Sequence, residues 1–382
     1  MKILYVTSSV PTPEFKLYGT FIYNRIKELS KLGIKVSVAK YNSVIKPNFR
    51  IGLLPNYNFQ DLGYNINIEV NVLNGFIIPT KNIFWGTTKK LENIFNNGEF
   101  DIIHAHFLWD TYPVYLINKR TGIPYIVTVH GSDIHTLPYK NTRIRNTVLN
   151  ILENASMVLF VSKYLLSQSR AIGFSGKNIS IIPNGFDDKI FNISKPSNIT
   201  RSDKNTIGFI GSLIPTKGAD RVPYIFKSIH EKCPNTQFIL VGEGYLRKEI
   251  TKKLMDLNIL DKVKYSGWIS QQELSKHIND MDVIITPSRK EGWGCIVIEA
   301  QACGVPVVGS DAGGLPESIG NGGVIVHEGN NFIDRFTDAV IEMIDNPPKK
   351  ELLINRSKEY TWEKTVKEEL LVYQKTKAKC LQ

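Results

Sequence analysis

The stretch "DVIITPSRKEGWGCIVIEAQACGVPVVGS", Asp282 to Ser310, reads as strand, loop, helix and strand in a single pass. "DVIITPS" and "PVVGS" are short β-rich runs, and the helix between them starts near Gly294. Two strands joined by a crossover helix belong in a parallel sheet. The same alternation extends outward. "NTIGFIGS", "TQFILVGEG" and "KVKYSGW" precede the stretch, and "GGVIV" follows it. In the first half, "KILYVTS", "IKVSVAK", "DIIHAH", "PYIVTVHG" and "SMVLFVS" are strands with helices between them. The first of those helices, "GTFIYNRIKELSKLG", sets Ile22, Ile26 and Leu29 on one face and stops at Gly33. Residues about 45–75 are irregular and rich in Asn, which predicts strands and loops at a sheet edge.

The chain is too long, at 382 residues, for one ordinary core. The polar, Pro-containing stretch 191–205 breaks the periodicity and reads as a linker. The expected fold is α/β: two doubly wound, Rossmann-like domains, 1–190 and 206–358, facing a central cleft. A polar amphipathic helix, 359–382, is expected to cross back to the first domain.

Composition narrows the function. A 42% hydrophobic and 22% charged chain is that of a soluble globular protein. No apolar run nears the ~20 residues a membrane span needs, and the N-terminus reads as a first strand, without a cleavage site. Cys233, Cys295, Cys303 and Cys380 form no CxxC, so reduced thiols in a cytosol are expected. Nearly all of the +11 net charge lies before residue 196. That asymmetry suits a solvated basic face or an anionic membrane surface or lipid-linked phosphate near the first domain. The segment "YKNTRIRNTVLNIL", with Lys140, Arg143 and Arg145, is a membrane-facing candidate or an ordinary core-facing helix. The basic residues are scattered and accompany no nucleic-acid motif. "GEGYL" lacks the third glycine of a dinucleotide fingerprint, which argues against a nicotinamide enzyme.

Ligands of open α/β sheets sit beyond the carboxyl ends of the strands. Gly19, His104, His106, His130, Asp133, Lys217 and Glu291 all fall there. His104-Ala-His106, with His130 and His135, resembles a metal pair. No acid or Cys stands at ligand spacing, so structural histidines and no metal are expected. Glu291 and Glu299 bracket a Gly-aromatic-Gly turn. Amides of Gly294, Cys295 and Ile296 at a helix start suit a phosphate, and Gly292 and Gly294, flanking Trp293, let backbone approach a ligand. Glu291 can then accept from sugar hydroxyls and Glu299 from vicinal ribose hydroxyls. Two acids around a phosphate-binding helix end suit a nucleotide-sugar.

These residues carry a resemblance. The Glu-x7-Glu pair, "TVHGSD" (Thr128–Asp133), "IIPNGFD" (Ile181–Asp187), "GSLIPTKG" (Gly211–Gly218), "LVGEG" (Leu240–Gly244) and "EAQACGVPVVGSDAGGLPE" occur in the order seen in glycosyltransferase family 4. The chain resembles that family over residues 1–375. "SVPTPEFKLYGTFIYNRIKEL" (Ser9–Leu29) resembles the subgroup that builds bacterial surface polysaccharides of teichuronic-acid type. The resemblance implies a GT-B fold and a retaining, metal-independent transferase without a cofactor. Its donor would be a nucleotide-sugar, a UDP-sugar before a GDP-sugar, and its acceptor lipid-linked or a growing glycan. The enzyme would be cytoplasmic, peripheral on the inner membrane face. Gly19 would lie near the donor phosphate, with Tyr18 where relatives carry a second glycine. His130 would act near the transferred sugar, Lys217 on the diphosphate, Glu291 on the sugar and Glu299 on the ribose. Gly242 to Gly244 and Trp268 would line the base pocket. Ser212 stands where relatives often carry Arg, which leaves Lys217 as the main cation unless Arg289 or Lys290 helps. His130 and Asp133 as an acid–base pair for inversion, a sugar-nucleotide epimerase and a non-catalytic binding module stay open as alternatives.

Overall fold

The alternation builds two sheets. A computed structural model describes residues 1–43, 52–78, 83–85, 87–193 and 204–380. The first sheet holds β1 (Lys2–Thr7), β2 (Lys35–Ser43), β3 (Tyr57–Asn58), β4 (Glu69–Ile78), β5 (Ile83–Trp85), β6 (Ile102–His106), β7 (Tyr125–Val129), β8 (Met157–Phe160) and β9 (Ile179–Ile181). Their order is β3-β4-β2-β1-β6-β7-β8-β9, with β5 on β4. Only β3 and β5 pair antiparallel, and both pair with β4. The second sheet is parallel throughout. It holds β10 (Asn205–Ile210), β11 (Thr236–Val241), β12 (Val263–Tyr265), β13 (Val283–Thr286), β14 (Val307–Ser310) and β15 (Gly323–Val326) in the order β12-β11-β10-β13-β14-β15.

The chain divides into two compact units, one of residues 1–184 with 362–382 and one of residues 185–361. Most of the expected linker, and the start of the Asn-rich segment at 45–51, lie outside the described residues. The rest of that segment supplies β3 and β4, as expected of a sheet edge. Strand β9 was not foreseen. It is three residues long, too short to carry a period.

Central strands of a parallel sheet are covered on both faces and so read as continuous apolar runs. Residues of β1, β6 and β7 are buried almost without interruption. Ile22, Ile26 and Leu29 of the helix Thr20–Lys31 pack into this core with Ile3, Tyr5 and Ile102. Val366, Val372 and Tyr373 of the final helix, Trp362–Cys380, join them. Beside that contact Arg25 donates to Glu369 at 2.8 Å and to Asn184 Oδ1 at 3.0 Å. Both members of the ion pair are fully buried. Burial pushes the Glu369 carboxyl up, and the Arg25 charge acts against that push. A pair of this kind adds little net stability over apolar packing, but losing one partner strands a buried charge.

The second core gathers Ile207, Phe209, Ile225, Phe226, Ile285, Val308, Phe336 and Val340 between the sheet and its helices. In each sheet the strand order reverses once, between β1 and β6 and between β10 and β13. Ligands of open α/β sheets sit beyond the carboxyl ends of the strands at such a reversal.

Candidate active site

In the second unit the loops after β10 and β13 lie against each other at that reversal. The amides of Arg289 and Lys290 donate to Thr216 O at 2.9 and 3.2 Å. Gly218 has φ +67°, and a Cβ there would sit 1.9 Å from Pro287 O. Only glycine allows this approach. The contact brings Lys217 to Glu291 across 74 residues of sequence, and its ammonium donates to Glu291 Oε2 in an ion pair. The other carboxylate oxygen accepts from Gly292 N at 3.2 Å, and the Glu291 carbonyl accepts from Gly314 N at 3.0 Å. Glu291 is thus held from both sides.

The helix Cys295–Ala302 follows. Its N-cap is Gly294, left-handed at φ 88°, with no side-chain cap. One turn in, burial pushes the Glu299 carboxyl up to about 7, with no hydrogen bond to counter it. Trp293 is buried, with its ring 5.2 Å from that of Tyr360 and no partner for Nε1–H among the described residues. Gly242 follows β11. Its N–H donates to Gly267 O at 2.8 Å and its carbonyl accepts from Tyr265 O–H at 2.9 Å. Gly244 lies two residues on, against the Leu213 backbone. Trp268 is 53% exposed beyond β12.

The first unit has a different chemistry at its reversal. Gly19, at φ +68°, caps the helix Thr20–Lys31, and a Cβ there would meet Ser9 C and O at 2.5 Å. The carboxylate of Asp133 accepts from the amides of His130 (3.2 Å) and Gly131 (2.7 Å). It braces the backbone and does not pair with the imidazole, which corrects the acid–base-pair alternative. His130 Nε2 instead meets His106 Nδ1 at 3.0 Å. His104 spans Tyr373 O–H (2.6 Å) and Thr128 Oγ1 (2.8 Å), and Tyr373 bonds Tyr5 O–H at 2.8 Å. Phe107, at φ +68°, places its ring 4.5 Å from that of His130. Desolvation pushes all three histidines well below the ordinary range, so they are neutral.

Comparison with known proteins decides the family. The model of glycosyltransferase family 4 matches residues 19–189, and that of the group 1 glycosyl transferases matches residues 191–360. An uncharacterized glycosyltransferase of Methanocaldococcus jannaschii is 30% identical over 283 residues, covering 72% of this chain and 75% of its own. The chain belongs to glycosyltransferase family 4.

A Bacillus subtilis protein, whose name assigns it provisionally to teichuronic acid biosynthesis as a glycosyltransferase, is 25% identical over 84% of this chain and 83% of its own. Among solved structures, Anabaena HepE in complex with UDP matches with a TM-score of 0.76 at 18% identity, over 98% of this chain and 100% of that one. The fold is GT-B. The reaction class of this glycosyltransferase is sugar transfer from a nucleotide-sugar donor.

In this glycosyltransferase Arg289 does not assist Lys217. Its guanidinium grips both oxygens of Asp220 at 2.7 Å and donates to Pro215 O at 2.8 Å. Arg145 of the basic segment is likewise engaged, donating to Ile172 O from Nε (3.0 Å) and Nη2 (2.7 Å). Its helix, Thr142–Glu153, buries Val148, Ile151 and Leu152. The apolar stripe therefore serves the core, and of the three basic residues Lys140 and Arg143 stay exposed without that engagement. Among the described residues no helix is long and apolar enough to cross a membrane. Sequence reasoning treated His106 only as a structural histidine. The signal was the alternation of β6, which puts residues two apart on one face. The Asp220–Arg289 brace had no sequence signal, because its partners lie 69 residues apart.

Proposed function

We propose that this glycosyltransferase takes a UDP-sugar and transfers the sugar with retention of anomeric configuration, without a metal ion. The acceptor would be a lipid-linked intermediate or growing glycan of bacterial surface polysaccharide synthesis, at the inner membrane face. The observation that carries the donor half is the Lys217–Glu291 ion pair at the strand-order reversal of the second sheet.

In the transfer the bond between the anomeric carbon and the diphosphate oxygen breaks, and its electron pair stays on the phosphate. The acceptor hydroxyl oxygen forms the new bond on the same face, and its proton passes to the departing phosphate. Charge therefore grows on phosphate oxygens while the sugar becomes oxocarbenium-like. Lys217 and the amides of Gly294, Cys295 and Ile296 stabilise the first change. Glu291 accepts from the donor sugar, Glu299 from the ribose, and Gly242 to Gly244 with Trp268 receive the base. For the first unit, the family resemblance assigns Gly19 to the donor phosphate and His130 to the transferred sugar. Asp133, committed to two amides, is a poor partner for an inverting base, which supports retention. The acceptor class rests on the resemblance of Ser9–Leu29, on the similarity to the Bacillus subtilis protein and on the basic first half.

The test is a donor screen by thermal shift over UDP- and GDP-sugars, then product analysis with the best donor and a lipid-phosphate acceptor in EDTA. The expected product forms only with acceptor, keeps the anomeric configuration and is indifferent to EDTA. Isomerised donor without acceptor would make the protein an epimerase. An inverted product, a GDP-sugar preference, or activity lost in EDTA and restored by a divalent ion would each remove the corresponding part of the proposal.

A further inference from the structure

His130 and His106 share one hydrogen bond through Nε2 and Nδ1, 3.0 Å apart. The outer nitrogens, His130 Nδ1 and His106 Nε2, are covered and have no partner among the described residues. Both rings are neutral, so each carries one proton and the shared bond uses one of the two. If His130 were the donor, His106 would hold its proton at Nε2. His106 is fully buried, stacked on Tyr5 at 5.0 Å and beside His104 at 4.3 Å, so that N–H would be sealed without an acceptor. If His106 donates from Nδ1, the sealed atom is a lone pair. The unpartnered N–H is then on His130, the less buried of the two residues. Each arrangement leaves one covered N–H unpartnered among the described residues; the second moves it from the fully buried His106 to the less buried His130, which favours that arrangement.

We propose that His106 is a positioning residue: its Nδ1–H donates to His130 Nε2 and so holds His130 as the Nδ1–H tautomer, a hydrogen-bond donor toward a substrate oxygen. Free imidazole side chains prefer the opposite tautomer, so without His106 that N–H would be lost from Nδ1. The proton on one ring nitrogen is commonly set by the bond the other nitrogen makes. Asp133 and Phe107 fix the backbone and ring around His130 but offer Nε2 nothing. That the N–H serves the sugar rests on the functional reading above; the tautomer does not.

The experiment is long-range 1H–15N correlation on 15N-histidine-labelled protein, with His130 assigned through His130→Gln. Wild type should show His130 protonated at Nδ1. His106→Leu should shift it to Nε2 and lower kcat about tenfold with little change in donor KM. His106→Asn, whose amide can donate from nearly the same place, should restore the Nδ1–H signal and most of kcat. Protonation of His130 at Nε2 in the wild type, read without any variant, would overturn the proposal. So would an unchanged tautomer in folded His106→Leu. Full activity in His130→Gln with the expected tautomers would instead remove His130 from the reaction and leave the tautomer assignment standing.

Discussion

The two strand-order reversals have the same topology and opposite chemistry. At β10/β13 Lys217 and Glu291 form an ion pair, and burial pushes the nearby helix's Glu299 carboxyl up to about 7. At β1/β6 the groups are neutral rings: His104, His106 and His130, backed by two tyrosines and a buried Arg25–Glu369 pair. The reversal is supplied by topology alone, but what it can hold is set by desolvation. Lys217 and Glu291 in the second unit are only partly covered, so their charges are retained. The first unit buries its histidines so deeply that they stay neutral, while the buried Arg25–Glu369 pair and the Asp133 carboxylate are each held by hydrogen-bond partners.

The largest expected effect tests the buried pair. Glu369→Ala leaves Arg25 charged and stranded and should cost about 3–5 kcal/mol in urea unfolding. Arg25→Met with Glu369→Leu should recover most of that loss. If Glu369→Ala is as stable as wild type, the pair does not hold the final helix in place.

At the charged site, Lys217→Ala and Glu291→Ala should each lower turnover about a hundredfold or more, on the order of 3 kcal/mol of barrier, with the fold intact by circular dichroism. Near-normal turnover in either folded variant would remove that residue from the site, and the contrast between the two reversals would weaken accordingly.

A smaller effect follows from Glu299. Its carboxyl titrates at about 7 because burial disfavours the charge. Ribose hydroxyls need an ionised acceptor, so affinity for an intact UDP-sugar should rise with pH, about tenfold from pH 6 to pH 8, and level off above. Glu299→Gln should bind more weakly at high pH and lose the dependence. A pH-independent affinity in wild type, by calorimetry, would end the ribose assignment.

The smallest effect concerns the basic first half. Vesicles of anionic lipid should sediment the wild type at low salt and release it at high salt. Lys140→Ala with Arg143→Ala should reduce pelleting modestly. Arg145→Ala should act through stability instead, since its guanidinium holds the Ile172 carbonyl. Indifference of the wild type to such vesicles would leave the charge as a solubilising surface and favour a soluble acceptor.

Much of the fold was legible because parallel strands buried on both faces must be apolar, and crossover helices must be amphipathic. β1, β6, β7, β10, β11 and β13 each stand where an apolar run stood. β9 was not legible, because three residues carry no period. The close backbone approaches at Gly19, Gly218, Gly242 and Gly244 were legible through glycine, whose presence reports a backbone that must come close to something.

By itself, then, the sequence determined two alternating α/β series, the carboxyl-end placement of Gly19, His130, Lys217 and Glu291, and a helix start at Gly294. Those follow from local periodicity and from the few residues that can turn sharply. Tertiary structure alone decided which of these groups meet. Lys217 reaches Glu291 rather than standing free, Arg289 is consumed by Asp220, and His106 is the partner of His130. The physical reason is that hydrogen bonds and ion pairs reach only a few ångströms. Partners 24 to 74 residues apart in the chain come within reach only once the sheet sets strand order and register.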